Sequence, residues 1–254
     1  MERSFGRVSY INSIPLFCAP APFSVVEDVP SRLNAAVARG GLDISLISRW
    51  EYPKVEGNYA PLPEFCIGGD GEIMSVKIFS RLPAESLGGG SIYITSQTGT
   101  SSRAFRYLLE KKYGYDIFKL PQARMETADA VLLIGNAALS FDSSAYPYVY
   151  DLGEMWRAET GLEMIYAVAV IRRDIYAETA GAVADYFEKS LALFESRRAE
   201  FVKLAGKRFL ASEGAGIGAD VLDRYYSRLV YRFDAEKFDK IFNYVEALRP
   251  YGYL

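Results

Sequence analysis

The first 48 residues alternate between strand-like and helix-like hydrophobic patterns, and this alternation restricts the fold more than any other feature. The β-branched and apolar runs at 7–11, 23–29 and 43–48 are typical of short strands. Before the third run, Ser31 begins a helical pattern that stops at Gly40. Strands that alternate with helices along a chain usually form a parallel sheet through right-handed crossovers. The opening segment therefore predicts an α/β fold.

A second group of strand and helix patterns follows the first. Strand-like runs occupy 91–95, 128–135 and 148–153, and a helical pattern lies between the first two. Two more strand-like runs, 73–80 and 163–173, flank this group, and the pattern after them is helical. We expect these two strands to pass between two lobes and to leave a ligand cleft between them.

The predicted lobes divide the chain unequally. Lobe 1 comprises residues 1–80 together with 166–254, and lobe 2 comprises residues 81–165. A chain of 254 residues is long enough to form either one large domain or two smaller ones.

The chain contains no histidine, which excludes several kinds of active site. A Ser-His-Asp triad, a Cys-His dyad, a histidine-ligated zinc and an imidazole base are all ruled out. The two cysteines, Cys18 and Cys66, are too few for a four-cysteine zinc site, and we expect both to be reduced and partly buried. Proton chemistry would depend on carboxylates, hydroxyls, lysine or the substrate itself. The scattered acidic residues predict no metal site.

The charge balance and the apolar pattern limit the partners. The 29 basic and 32 acidic residues give a net charge of −3, which argues against a nucleic-acid-binding protein. No apolar run reaches the roughly 20 residues of a membrane span, and the N-terminal residues do not resemble a secretory signal. We expect a cytoplasmic protein that binds a small molecule and does not insert into a membrane. The oligomeric state is left open.

The segment TSQTGTSSRAF, residues 95–105, lies between a predicted strand and a predicted helix. It carries Thr98, Thr100 and Ser101 where backbone N–H groups at a helix N-terminus would attract a carboxylate or phosphate. The segment lacks the Gly-Lys-Ser/Thr sequence of a P-loop. A helix capped by Ser or Thr remains the plain alternative.

Further polar residues follow other predicted strands. Asn12 and Ser48 lie at the carboxyl ends of strands, where open α/β sheets bind ligands. The alternative role of Asn12 is a helix cap ahead of Pro15. Ser75 shares one face of its strand with Lys77, which could face an anion or, alternatively, solvent.

Two acidic residues and the tyrosines of the C-terminal part have simple alternatives. Asp151 and Glu154 could perform acid–base chemistry, and a capping or hinge role is an equal alternative. The tyrosines of the helical tail, among them Tyr225, Tyr226 and Tyr231, are interpreted as packing or surface residues.

The chain resembles the chorismate dehydratases of the futalosine route to menaquinone. Six segments carry this resemblance in the family's order and spacing, roughly over residues 7–173: VSYINSIPLF, LDISLISRWEY, EIMSVKIFS, TSQTGTS, DAVLLIGNAAL and YDLGEMWRAETGLEMIYAVAV. The resemblance implies the type II periplasmic-binding-protein fold, with two α/β lobes joined by two crossing strands. It also implies a lyase that converts chorismate, a dianion, into 3-[(1-carboxyvinyl)oxy]benzoate with no metal or organic cofactor.

The resemblance also implies roles for individual residues. Asn12 and Ser75 match family positions that face the substrate, and we expect them to be catalytic. The hydroxyl-rich turn and two further positions are expected to bind substrate: Thr98, Thr100, Ser101, Ser48 and Asn136. Asn136 departs from the family, which usually has Asp there, and Lys77 replaces an apolar residue.

Asn12 and Ser75 are not bases at neutral pH. The substrate's enolpyruvyl carboxylate is therefore the hypothetical proton acceptor, and Glu154 is the competing candidate. Two other functions remain open. One is the related 1,4-dihydroxy-6-naphthoate synthase, whose usual Pro-Asn-Asp opening turn is absent here. The other is a non-catalytic protein that binds or senses a small anion, because a fold alone does not separate binding from catalysis.

Overall fold

The structure is a computed structural model that describes residues 2–98 and 100–253, with only the backbone of Thr100. The strands in these ranges are β1 (Ser4–Val8), β2 (Ser24–Asp28), β3 (Ile44–Ser48), β4 (Tyr59–Gly69), β5 (Val76–Ser80), β6 (Ile92–Ile94), β7 (Ala130–Ile134), β8 (Tyr148–Asp151), β9 (Met164–Arg172) and β10 (Leu229–Arg232). The helices are α1 (Pro30–Ala38), α2 (Thr100–Tyr113), α3 (Gly135–Ser140), α4 (Leu152–Thr160), α5 (Tyr176–Ser196), α6 (Arg198–Glu213), α7 (Ala219–Arg228) and α8 (Ala235–Glu246). Short 3₁₀ helices include Ile11–Phe17 and Arg49–Lys54.

The strands form two sheets. The first has the order β10-β4-β9-β3-β1-β2, and the second has the order β6-β7-β5-β8. β1 pairs in parallel with β2 and β3, as the opening pattern predicts, whereas β9 pairs antiparallel with both β3 and β4. The chain passes to the second sheet over residues 70–75 and returns over 152–163. The predicted α/β fold is confirmed.

Two strands were missed by the sequence patterns, and two were placed differently. The strand expected at 7–11 is β1, which ends at Val8, and Ile11 already belongs to the following 3₁₀ helix. β4 contains two prolines and a Glu64 with φ +70°, and its pairing with β9 is interrupted by register shifts. Proline and irregular register weaken the alternating pattern that identifies a strand. β10 is only four residues long and follows α7 directly. The strand expected at 73–80 begins at Val76 and lies within the second sheet, so the two connections, rather than β5 and β9, cross between the sheets. The predicted lobe boundaries stay a prediction.

Aromatic side chains join the elements that surround the two sheets. Trp50, which follows β3, packs edge-on against Trp156 of α4 at 5.7 Å between ring centroids. Tyr107 of α2 and Tyr244 of α8 also contact the Trp156 ring. Burial of such large rings is among the strongest stabilising contributions in a core. The cluster therefore ties the helices of the second sheet to the C-terminal helix.

The cysteines and the helix lengths can be compared with what the composition predicts. Cys18 is a partly buried free thiol, as expected, whereas Cys66 is a free thiol that is completely buried rather than partly buried. In residues 2–98 and 100–253, every helix is too short or too polar to cross a lipid bilayer.

Candidate active site

A cavity lies where the ends of strands from both sheets meet. The empty space between its walls, with the solvent at its open mouth included, is about 720 Å³. Most of its surface is aliphatic, with hydroxyl and amide groups at separate points. The lining comprises Val8, Tyr10, Asn12, Pro30, Asn34, Leu46, Ser48, Ile67, Ile73, Ser75, Val76, Gln97, Thr98, Ser101, Ile134, Gly135, Tyr166, Ala167 and Leu229. Five of the residues predicted from sequence are therefore brought together here: Asn12, Ser48, Ser75, Thr98 and Ser101.

Ser75 is held by a strained turn just before β5. Its N–H donates to the carbonyl of Ile73 at 2.7 Å, and the intervening Met74 has φ +64°. This three-residue γ-turn is a rare conformation for a residue with a side chain. The carbonyl of Ser75 accepts a hydrogen bond from the Gly135 N–H at 2.7 Å. Both backbone polar groups of Ser75 are thus fixed, and the residue is 3 % exposed.

The carboxylate of Asp151 stabilises that turn through hydrogen bonds to its backbone. This buried carboxylate accepts hydrogen bonds from the N–H groups of Ile73 at 3.0 Å, Met74 at 2.8 Å and Gly153 at 2.9 Å. Burial raises the pKa of Asp151, and the N–H groups of Ile73 and Met74 oppose that rise. The last of these donors lies in the first turn of α4, so Asp151 caps that helix. The capping alternative from sequence is therefore confirmed for Asp151, and Glu154 is exposed outside the cavity lining.

Asn12 lies in the 3₁₀ helix that follows β1. Tyr10 precedes this helix, and within the described residues no side chain caps it, so the capping alternative for Asn12 is wrong. The neighbouring Ser13 donates from its hydroxyl to the carbonyl of Val8 at 2.6 Å, which fixes the turn. The carbonyl of Asn12 accepts from the Tyr231 hydroxyl at 2.8 Å. The amide side chain is left to line the cavity.

Three buried polar atoms of the lining have no hydrogen-bond partner in the described part of the chain. They are Asn12 Oδ1, Ser48 Oγ and Tyr166 Oη. An unpaired buried polar atom costs about 1–3 kcal/mol, so such atoms are rare unless a ligand or water pairs with them. The sequence patterns did not identify Tyr166, although it is the one residue with a hydroxyl group in the apolar strand β9. They also missed Asn34, whose side-chain oxygen accepts from the Ser48 N–H at 3.3 Å.

The N-terminus of α2 closes one side of the cavity. Thr98 Oγ1 accepts a hydrogen bond from the Ser102 N–H at 3.1 Å, so this hydroxyl caps the helix. Ser101 is buried and lines the cavity in the first helical turn. The side chain of Thr100, also predicted to bind substrate, lies outside the described residues. The helix dipole makes this end attractive to an anion.

Among the described lining residues there is no Asp, Glu, Lys or Arg side chain. The tyrosines are not substitutes for a base, because burial raises the pKa of Tyr10 to about 12 and raises that of Tyr166 well above its usual range. Lys77 pairs with Asp151 in the β5–β8 register and is not part of the lining. An anion in this cavity would therefore be held by neutral donors and a helix terminus.

Asn136 belongs to a neighbouring crevice. Its Nδ2 donates to Ser212 Oγ at 3.0 Å, and the crevice is also lined by Arg208 and Glu213. Asn136 is not among the residues that line the main cavity. Tyr10 lies between the two spaces, and its hydroxyl donates to Gln97 Oε1. This bond joins a residue that follows β1 to one that precedes α2.

The chain is similar in sequence to a known family and to proteins of known activity. The menaquinone biosynthesis family matches residues 4–249. A chorismate dehydratase from Thermus thermophilus is 26% identical over 190 residues, which are 66% of this chain and 69% of that protein. A 1,4-dihydroxy-6-naphthoate synthase from Streptomyces coelicolor is 26% identical over 172 residues, which are 62% of this chain and 58% of that protein.

Solved structures agree on the fold. A protein from Archaeoglobus fulgidus superposes with a TM-score of 0.77 at 18% identity, covering 99% of this chain and 98% of that one. The periplasmic aliphatic sulphonate binding protein of Escherichia coli superposes with a TM-score of 0.64 at 15% identity, covering 98% and 92%. The periplasmic-binding-protein fold implied by the sequence is thereby confirmed. Because the family match extends over nearly the whole length, the chain belongs to the menaquinone biosynthesis family.

Proposed function

We propose that this protein is a lyase that dehydrates chorismate to 3-[(1-carboxyvinyl)oxy]benzoate, with the substrate's own enolpyruvyl carboxylate as the base. The observation that carries the proposal is the chemistry of the lining. It combines unpaired neutral polar atoms on Asn12 and Ser48 with an absence of ionisable acids and bases other than tyrosine among the described lining residues. A substrate that brings its own base needs a site that positions it and supplies no base.

The reaction balances without any other reactant. A ring C–H bond breaks, its proton moves to the enolpyruvyl carboxylate, and the electron pair enters the ring. The neighbouring C–O bond then breaks, and the hydroxyl leaves with its bonding pair and collects the proton as water. The ring becomes aromatic, which supplies much of the driving force. The protein has to hold the carboxylate close to the proton, and such positioning contributes about 7–11 kcal/mol in favourable cases.

The proposed roles follow from position in the cavity. Asn12 and Ser75 hold the reacting carboxylate and the ring hydroxyl in their reactive orientation. Thr98 and Ser101 receive the other carboxylate at the start of α2, and Ser48 adds a hydroxyl from the end of β3. Thr100 keeps the substrate-binding role that the family resemblance implies. We leave Asn136 out, because it lines the neighbouring crevice. In this proposal the lobes 1–80 with 166–254 and 81–165 enclose the substrate, and the enzyme acts in the cytoplasm.

Two relatives support this choice unequally. The chorismate dehydratase matches a larger share of this chain than the naphthoate synthase does, although both are 26% identical over the matched residues. The naphthoate synthase is the second candidate, because its similarity is significant over 62% of this chain. A binding protein without catalysis is the third, and it would retain chorismate unchanged.

Incubation with chorismate tests the proposal, followed by the ultraviolet spectrum and the mass of the product. We expect loss of one water and an aromatic product. Asn12→Ala and Ser75→Ala are compared with the exposed Asn243→Ala in single-turnover experiments. We expect both cavity variants to lose at least about 100-fold in rate, as for loss of a group that acts in the transition state, and the control to be unchanged. Chorismate that is bound but unchanged would contradict the proposal, as would full activity in both cavity variants.

A further inference from the structure

We propose that Tyr225 is a positioning residue that makes the Ser75 hydroxyl a hydrogen-bond donor toward the substrate. This inference rests on the proposed dehydration. Tyr225 lies on α7 in the C-terminal part of the chain, 150 residues from Ser75. From the sequence, the tyrosines of the helical tail were interpreted as packing or surface residues. The contact with Ser75 gives one of them, Tyr225, a functional role.

The contact itself is buried and directional. The Tyr225 hydroxyl donates to Ser75 Oγ at 3.0 Å, and Tyr225 is only 1 % exposed. The backbone of Ser75 is already fixed by its bonds to Ile73 and Gly135. A serine hydroxyl has one proton to give and two lone pairs to accept with. Because the tyrosine occupies a lone pair, the remaining proton of Ser75 is available to a group in the cavity.

The phenol remains a donor over the whole physiological pH range. Burial raises the pKa of Tyr225 far above its usual value, although hydrogen bonding to Ser75 and Asn12 acts in the opposite direction. The phenol therefore bonds in its protonated form to Ser75, one of the two residues to which the reaction is assigned. Because the phenol keeps its proton at neutral pH, it can serve as the donor in the bond to Ser75 Oγ throughout that range.

The neighbouring tyrosines fix the other side of the site in the same way. The Tyr226 hydroxyl donates to the carbonyl of Ile11 at 2.9 Å, and the Tyr231 hydroxyl donates to the carbonyl of Asn12 at 2.8 Å. These two bonds hold the backbone of the Asn12 segment, whereas Tyr225 reaches the reactive side chain of Ser75 directly. Of the three, Tyr225 is therefore the one whose loss changes hydroxyl orientation rather than backbone position.

Substitution of the phenol by a phenyl group tests this role. We expect Tyr225→Phe to lower kcat about 10- to 100-fold while KM changes less than about threefold, because the ring still fills the same space. Tyr59→Phe is the matched control, since Tyr59 is also 1 % exposed and donates to a backbone carbonyl, that of Leu42, at 2.7 Å. We expect its kcat to equal that of the original protein. Urea unfolding of both variants shows whether stability changes equally.

A double-mutant cycle separates positioning from a general structural effect. In a Ser75→Ala background there is no hydroxyl to orient, so we expect Tyr225→Phe to cause no further loss of kcat. Losses that multiply would overturn the role of Tyr225, and so would an unchanged kcat in Tyr225→Phe when Ser75→Ala is inactive. If Ser75→Ala itself keeps full activity, the proposed function fails first. Replacement of Tyr225 by 4-aminophenylalanine retains an N–H donor, and failure of that variant to recover kcat would also overturn the inference.

Discussion

Asp151 accepts a hydrogen bond from the backbone N–H of Met74 at 2.8 Å, and Met74 is a non-glycine residue with φ +64°. Such a conformation costs roughly 1–3 kcal/mol and persists only where surrounding contacts enforce it. Here the enforcing group is a buried carboxylate that holds two successive N–H groups, those of Ile73 and Met74. The strained turn ends at Ser75, so its geometry decides where the serine hydroxyl points.

Asp151→Asn tests this arrangement. The amide keeps one acceptor oxygen and replaces the other with an NH₂ group, which cannot accept the N–H of Met74 or Ile73. We expect a loss of about 1–3 kcal/mol in the free energy of unfolding, because a buried donor is left unpaired. We also expect kcat to fall about 10- to 100-fold as Ser75 moves. Urea unfolding and turnover of chorismate measure the two effects.

Glu154→Gln is the matched control for Asp151→Asn. Glu154 is exposed on α4, the helix that Asp151 caps, and it also carried the competing assignment as a base. We expect both stability and kcat to be unchanged. An inactive Glu154→Gln that still binds substrate would return the proton transfer to this carboxylate. A fully stable and active Asp151→Asn would show that the γ-turn does not depend on Asp151.

Tyr166→Phe is expected to separate stability from ligand binding. Tyr166 Oη is buried and has no partner in residues 2–98 and 100–253, so its removal costs no hydrogen bond within that part. We expect the free energy of unfolding to stay the same or to rise by up to about 1 kcal/mol. The affinity for the product is expected to fall about 5- to 20-fold, the value of one lost hydrogen bond. Calorimetric titration with the product measures it.

Tyr176→Phe serves as the control, and for it we expect the opposite result: lower stability and unchanged product affinity. Tyr176 is also partly buried, but its hydroxyl donates to the carbonyl of Pro61 at 3.2 Å. Its loss is expected to lower stability by about 1 kcal/mol and to leave product affinity unchanged. If Tyr166→Phe behaves like Tyr176→Phe in both measurements, then Tyr166 does not contact the ligand.

The sequence predicted the parts of the site that depend on strand order. Asn12 follows β1 and Ser48 is the last residue of β3, and parallel strands bring their carboxyl ends to one edge of a sheet. Ser75 was predicted through the family resemblance. The positive φ of Met74 and the contact of Tyr225 could not be predicted, because both depend on side chains that are distant in sequence. Asn136 was expected to bind substrate through the family resemblance, but it lies outside the cavity lining although its neighbour Gly135 is part of it.

Gly135 is expected to be irreplaceable for two separate reasons. Its φ is +60°, and a Cβ there would lie 2.9 Å from the ring of Tyr10. Gly40→Ala is the matched control, because Gly40 has φ +72° and a Cβ there would meet no atom within 4 Å. Both variants incur the backbone cost, and only Gly135→Ala displaces Tyr10. We expect Gly135→Ala to be less stable than Gly40→Ala by about 1–3 kcal/mol and to bind product more weakly. Equal unfolding energies for the two variants would show that the Tyr10 ring yields without cost.

Cys18 is expected to make the protein less stable in alkali. Burial raises the pKa of the Cys18 thiol to about 12 from its ordinary 9.0, and Arg7 opposes that rise only in part. Above pH 9 the unfolded chain loses this proton while the folded chain keeps it, so stability falls as the pH rises toward 12. Cys18→Ser removes the titration and keeps a hydroxyl near the Ile14 carbonyl, which the thiol contacts at 3.1 Å. We expect urea unfolding under reducing conditions to show a smaller decline in the free energy of unfolding between pH 8 and about 11 in Cys18→Ser than in the original protein. The difference in slope is at most about 1.4 kcal/mol per pH unit, the value for one proton. Identical declines would mean that the Cys18 thiol ionises at the same pH in the folded and unfolded chains.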